Sequence, residues 1–107
     1  MPTITFIHTD GRPEIVEAKI DDSVMLTALL HGVDGIVGEC GGGAVCATCH
    51  VYVDQSWLSR LSPVTHDEDD LLEGTAAPRL PNSRLSCQIR ITPELNGLVL
   101  QLPERQF

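Results

Sequence analysis

Three things are scarce in this 107-residue chain, and each scarcity removes a class of protein. No apolar run approaches the roughly 18 residues of a membrane-spanning helix. Basic residues are few, seven against fifteen acids, for a formal net charge of −8. Such a chain repels nucleic acid and anionic lipid through its long-range field, so neither a nucleic acid nor a membrane is an expected partner. Aromatic residues make up only 4%, which leaves Val, Ile and Leu to fill the core. The start, Met1-Pro2-Thr3-Ile4, has no charged segment ahead of an apolar stretch, and no Arg- and Ser-rich transit segment is present. The expectation is a cytoplasmic protein. Repeats, linkers and low-complexity segments are also missing, and the length favours one domain over residues 1–107.

What is present begins with a globular apolar share of 42%. Thr3 to His8 alternates and is rich in β-formers, Asp10-Gly11 signals a turn, and Glu14 to Ile20 reads as a second strand. Asp22 or Ser23 can cap a helix carrying Met25, Leu26, Leu29 and Leu30, with Gly32 as its stop. His50 to Val53 reads as a short strand. Thr65 followed by Glu68 fits a capping box at the start of a short acidic helix that stops at Gly74, with Leu71 and Leu72 as its buried side. Arg84 to Ile91 reads as a strand, Asn96-Gly97 as a turn and Leu98 to Leu102 as a last strand. Strands dominate and few helices cover them, which predicts an α+β domain with a mixed sheet.

The four cysteines are the chemical centre of the chain. Cys40, Cys46 and Cys49 follow a Cys-x5-Cys-x2-Cys pattern, and Cys87 comes after 37 intervening residues. In a reducing cytosol such a set binds metal more often than it forms disulfides. Four thiolates suit a [2Fe-2S] cluster, two per iron, and also a tetrahedral zinc site. Zinc ribbons usually have two Cys-x2-Cys knuckles, whereas only Cys46 and Cys49 form one here. Gly41, Gly42, Gly43 and Ala44 leave room for a cluster larger than a single ion, and bare N–H groups aimed at sulfur stabilise its negative charge. A Rieske-type centre needs two His in paired Cys/His motifs, and His50 stands alone beside Cys49. The glycines do not make a phosphate loop, because the Gly-x4-Gly-Lys-Ser/Thr pattern is missing. Spacing and glycines therefore favour [2Fe-2S], with zinc and plain thiols or disulfides as the alternatives.

The stretch Glu39-Cys40-Gly41-Gly42-Gly43-Ala44-Val45-Cys46-Ala47-Thr48-Cys49-His50-Val51 resembles the cluster loop of adrenodoxin/putidaredoxin-type [2Fe-2S] ferredoxins. Pro81-Asn82-Ser83-Arg84-Leu85-Ser86-Cys87-Gln88-Ile89, Thr92-Pro93-Glu94-Leu95 and Leu102-Pro103-Glu104-Arg105-Gln106-Phe107 resemble the bacterial branch that serves cytochrome P-450. The resemblance implies a β-grasp fold and one [2Fe-2S] cluster per chain, bound by Cys40, Cys46, Cys49 and Cys87. It implies a monomeric one-electron carrier and no enzyme. That carrier takes electrons from an NAD(P)H-dependent flavoprotein ferredoxin reductase and passes them to a cytochrome P-450 monooxygenase. The alternative role that the family allows is electron supply to iron–sulfur cluster assembly.

Partner-facing residues follow from the same resemblance. Asp67, Glu68, Asp69, Asp70 and Glu73 hold no Lys or Arg between them and correspond to an acidic docking helix; a solvated helix with dipole-compatible acids is the plainer reading. Glu39 precedes the first ligand, where the family has an Asp that meets a basic residue of the monooxygenase. Phe107 stands where putidaredoxin-type chains end in Trp, and is expected to anchor an interface. His50 is expected to pin the loop by a hydrogen bond rather than to bind metal, and Trp57 to be a packing residue.

Overall fold

The computed structural model describes residues 2–33, 49–61, 63–75 and 77–103. The alternation of Thr3–Ile7 buries Ile4 and Phe6 on one side and makes strand β1. The turn signalled by Asp10-Gly11 follows, with the Asp10 carboxylate accepting the Arg12 N–H, and returns the chain as β2 (Pro13–Glu17). The hairpin is antiparallel, with Ile4 opposite Val16. Proline is tolerated at the first residue of β2 because this is an edge strand.

Helix α1 (Val24–Leu30) starts where the Ser23 hydroxyl accepts the Leu26 N–H at 3.0 Å. It ends at Gly32, whose φ of +67° suits a residue without Cβ. Its inner face, Val24, Met25 and Ala28, lies on the core. Strand β3 (His50–Val53) runs into a one-turn helix, α2 (Gln55–Leu58), capped by Asp54. The sequence reading placed nothing here; an Asp two residues ahead of a Ser was the only local signal. Helix α3 (His66–Leu72) is capped by Thr65, whose hydroxyl accepts the Glu68 N–H at 3.2 Å. Leu72 is fully buried, whereas Leu71 is only half-buried.

Strand β4 covers only Ser83–Leu85, not Arg84 to Ile91. The Ser86 N–H still follows the register and donates to the Cys49 carbonyl at 2.9 Å, beside a second bond from its hydroxyl at 2.7 Å, and the pairing ends there. A single 3₁₀ turn, Ser86–Gln88, follows. The chain then runs beside α1, where the Val24 N–H donates to the Ile89 carbonyl and the Ile91 N–H to the Asp22 carbonyl. The last strand, β5 (Leu98–Gln101), follows the Asn96-Gly97 turn, over which Trp57 packs.

The five strands lie in the order β2-β1-β5-β3-β4. β5 is parallel to β1 and antiparallel to β3, so the sheet is mixed and the fold is α+β, in the arrangement expected of a β-grasp ferredoxin. Ile4, Phe6, Val51, Val53, Leu98 and Leu100 bury one sheet face against α1 and the loops. This aliphatic core is the one that so few aromatics implied.

Candidate metal centre

β3 and β4 pair antiparallel with His50 opposite Leu85. The residues just outside that pair, Cys49 before β3 and Cys87 in the turn after β4, therefore come together although they lie 38 positions apart. Ser86 fixes this junction through its two bonds to the Cys49 carbonyl. The Cys49 side chain is buried, and Cys87 is half-buried. The Gln88 amide approaches the Cys87 Sγ at 3.5 Å, a donor of the kind that stabilises thiolate sulfur.

The Cys49 thiol is held as a proton carrier far above the ordinary range, first by its hydrogen bond to Cys87 and then by burial. The Cys49 thiol has no reason to ionise unless a cation joins it, because burial disfavours the charged form. A coordinated metal reverses that order and takes the thiol as thiolate. The pair therefore fits one side of an iron–sulfur centre. Among the described residues no third His, Cys, Asp or Glu completes a metal site. Cys40, Cys46 and Glu39 lie outside the described residues, and so does Phe107.

His50 follows Cys49 directly and is fully buried. Its Nε2 pairs with the Ser83 hydroxyl at 2.9 Å, and its ring meets Tyr52 edge-on with centroids 4.7 Å apart. Burial lowers its pKa to about 4, so the ring is neutral at pH 7. It ties β3 to β4 beside the cysteines, the structural part expected of it, although the loop that it was expected to pin lies outside the described residues.

The five acids around α3 do not behave alike. Asp67 and Asp70 point to solvent, with His66 3.4 Å from Asp70. Asp69 and Glu73 are bridged by Arg79, at 2.6 and 2.5 Å, a cation that arrives from beyond the helix. Glu68 has to be removed from the docking set. Its side chain is 1% exposed, and it accepts two bonds from the buried Arg84 guanidinium, at 2.7 and 3.1 Å, and one from the Leu85 N–H at 2.9 Å. The capping box is thus half made: Thr65 caps the helix, while the Glu68 carboxylate turns away into the protein. Arg79, Arg84 and Ser86 escaped the sequence reading, since each acts on a residue that no local pattern joins to it; Gln88 escaped it although it adjoins Cys87.

A cysteine pair, one buried and one half-buried, at the end of a mixed five-stranded sheet is the setting of a metal-thiolate protein. Residues 7–92 match the 2Fe-2S iron-sulfur cluster binding domain, and the chain belongs to that family. It carries one [2Fe-2S] cluster and is an electron carrier, not an enzyme; when bound, the cluster takes up and returns one electron. The chain is 46% identical to rhodocoxin of Rhodococcus erythropolis, over 99% of both chains. Among solved structures it is similar to a ferredoxin of Rhodopseudomonas palustris HaA2, with 71% identity, a TM-score of 0.97 and coverage of 99% of this chain and 100% of that one. It is also similar to putidaredoxin in a covalent complex with putidaredoxin reductase, with 41% identity, a TM-score of 0.94 and coverage of 96% and 99%.

Proposed function

We propose that the chain, as a single domain over residues 1–107, carries single electrons from an NAD(P)H-dependent flavoprotein ferredoxin reductase to a cytochrome P-450 monooxygenase. The observation that carries the reading is the meeting of Cys49 with Cys87 at the β3–β4 end. These two sulfurs hold the cluster together with Cys40 and Cys46, two thiolates per iron. The covalent partnership of putidaredoxin with its reductase supports a flavoprotein donor here. Delivery to cluster assembly is the weaker reading. A mitochondrial relative, Ferredoxin-2 of Danio rerio, is matched over only 51% of its length, whereas rhodocoxin is matched over 99%. No helix among the described residues is long and apolar enough to cross a membrane; the resemblance to putidaredoxin-type bacterial ferredoxins supports a monomer working in the cytoplasm.

Asp67 and Asp70, with Asp69 and Glu73 partly neutralised beside them, draw in a basic reductase. Glu39 and Phe107 contact the monooxygenase. Removing Phe107 is expected to weaken that complex by roughly 1–2 kcal/mol, the scale of a modest anchor, and to leave cluster content unchanged. The decisive experiment is elemental: freshly purified anaerobic protein should hold two irons and two acid-labile sulfides per chain. It should accept one electron from NADH through putidaredoxin reductase, and Cys→Ala at any of the four positions should abolish the cluster. Stoichiometric zinc without sulfide would end this reading.

A further inference from the structure

Only seven cations serve the whole chain, and the fold gathers three of them in one place. Arg60, Arg84 and Arg90 line a recess of about 270 Å³ together with Gln88 and Thr92. Arg84 is committed to Glu68. The other two keep their charge: among the described residues neither Arg60 nor Arg90 forms an ion pair. The Arg60 guanidinium carbon sits over the Trp57 ring, 4.5 Å from its centroid, a contact that uses none of its N–H groups in an ion pair. Arg90 donates one N–H to the Asp21 carbonyl at 3.2 Å, an anchor that leaves its charge uncompensated. Both side chains are exposed.

A second recess, of about 240 Å³, shares Gln88 and Arg90 with the first and reaches Cys87. The arginine recess therefore lies next to the cysteine that faces Cys49. Asp21 lines the second recess; among the described residues no carboxylate lines the first. Two uncompensated guanidinium groups with neutral donors between them match a planar anionic ligand, above all a carboxylate.

We propose that this recess receives an acidic segment of a redox partner, a run of Asp or Glu side chains that docks beside Cys87. The inference rests on the electron-carrier reading and gives the docking face a polarity. α3 presents acids. The recess presents cations, and Arg84, paired with Glu68 of α3, forms the wall between them. A partner with basic and acidic patches side by side fits this face in one orientation only, which fixes the edge of the carrier that meets its cofactor.

The test uses the cluster-loaded protein and a fluorescently labelled hexaglutamate peptide, followed by anisotropy at 0.15 M salt. There the repulsion from the rest of the acidic molecule is screened beyond about 8 Å. The wild-type protein should bind the peptide. Arg60→Gln and Arg90→Gln should each weaken binding about three-fold, and the double variant roughly ten-fold, with the visible spectrum of the cluster unchanged. Lys19→Gln, a charge loss elsewhere, should leave the affinity as it is. A wild-type protein that ignores the peptide overturns the proposal, and so does a double variant that binds as well as wild type. Equal weakening by Lys19→Gln would also overturn it, since net charge alone would then be responsible. Failure of the carrier reading has a separate signature: a wild-type protein that takes no electron from any flavoprotein reductase, whatever the peptide does.

Discussion

Glu68 occupies the third position of α3 behind its Thr65 cap, where a capping box would turn its carboxylate back onto the cap's own N–H. It turns inward instead, because Arg84 and the Leu85 N–H offer it three bonds in a place closed to the surface. Burying both ions costs several kcal/mol each, and only good geometry with added hydrogen bonds offsets that. Removing one partner strands the other. Glu68→Ala should therefore lower the unfolding free energy by about 3–5 kcal/mol, read from reversible urea unfolding of the anaerobic protein. Pairing it with Arg84→Met should recover much of the loss. A drop under about 1 kcal/mol would mean that the stranded guanidinium reaches water after all. The same residue marks the limit of what the sequence tells. Ser23, Thr65 and Gly32 were legible because a cap acts within a few residues of itself. The Glu68–Arg84 bond spans 16 residues, and no local pattern points from one end to the other.

The elements show the same division. β1, the start of β2 and β5 were legible from alternation and turn residues, and α1 from its apolar spacing. β4 was read too long because Leu85, Ile89 and Ile91 are all buried, and burial alone does not say that the chain leaves the ladder at Ser86 in a 3₁₀ turn. At the site, the spacing pointed to four cysteines, and the fold brings two of them, Cys49 and Cys87, together and supplies the neighbours that hold them. α3 looked like a uniform acidic docking helix, but Arg79 divides its charge. Asp67 and Asp70 should therefore matter more than Asp69 and Glu73. Converting the first two to Asn should slow reduction by a basic reductase several-fold at about 10 mM salt, where the Debye length is about 30 Å, and hardly at all near 1 M. Converting Asp69 to Asn and Glu73 to Gln, with Arg79→Gln so that no bare cation is left, should do less, since this set removes one net negative charge where the first pair removes two. Stopped-flow reduction across a salt series decides this; equal effects of the two sets would mean that Arg79 does not shield its partners in solution.

Across the whole molecule, the core and the site are attached to each other at one end of the sheet. Ile4, Phe6, Leu98 and Leu100 pack along β1 and β5 against α1 and need nothing from the cysteines. β3 and β4 depend on both: Val51, Val53 and Leu85 enter the same core, while Cys49 and Cys87 close the pair at its far end. Metal binding and folding are coupled where a site joins distant segments, because ligand contacts replace loop-closure entropy. Removing the iron should therefore loosen the protein unevenly. The far-UV signature of the sheet should persist, held by the aliphatic core. The thermal midpoint should fall by about 10 °C or more, the shift expected when a domain of this size loses a few kcal/mol. Hydrogen exchange locates the loss. The Ser86 amide, bonded to the Cys49 carbonyl at 2.9 Å, should lose protection in the iron-free protein, because that carbonyl belongs to a residue no longer held by metal. The Leu102 amide, bonded to the Ile7 carbonyl at the other side of the sheet, should keep most of its protection. An iron-free protein with the same midpoint and an equally protected Ser86 would show that the sheet, not the metal, holds Cys49 and Cys87 together.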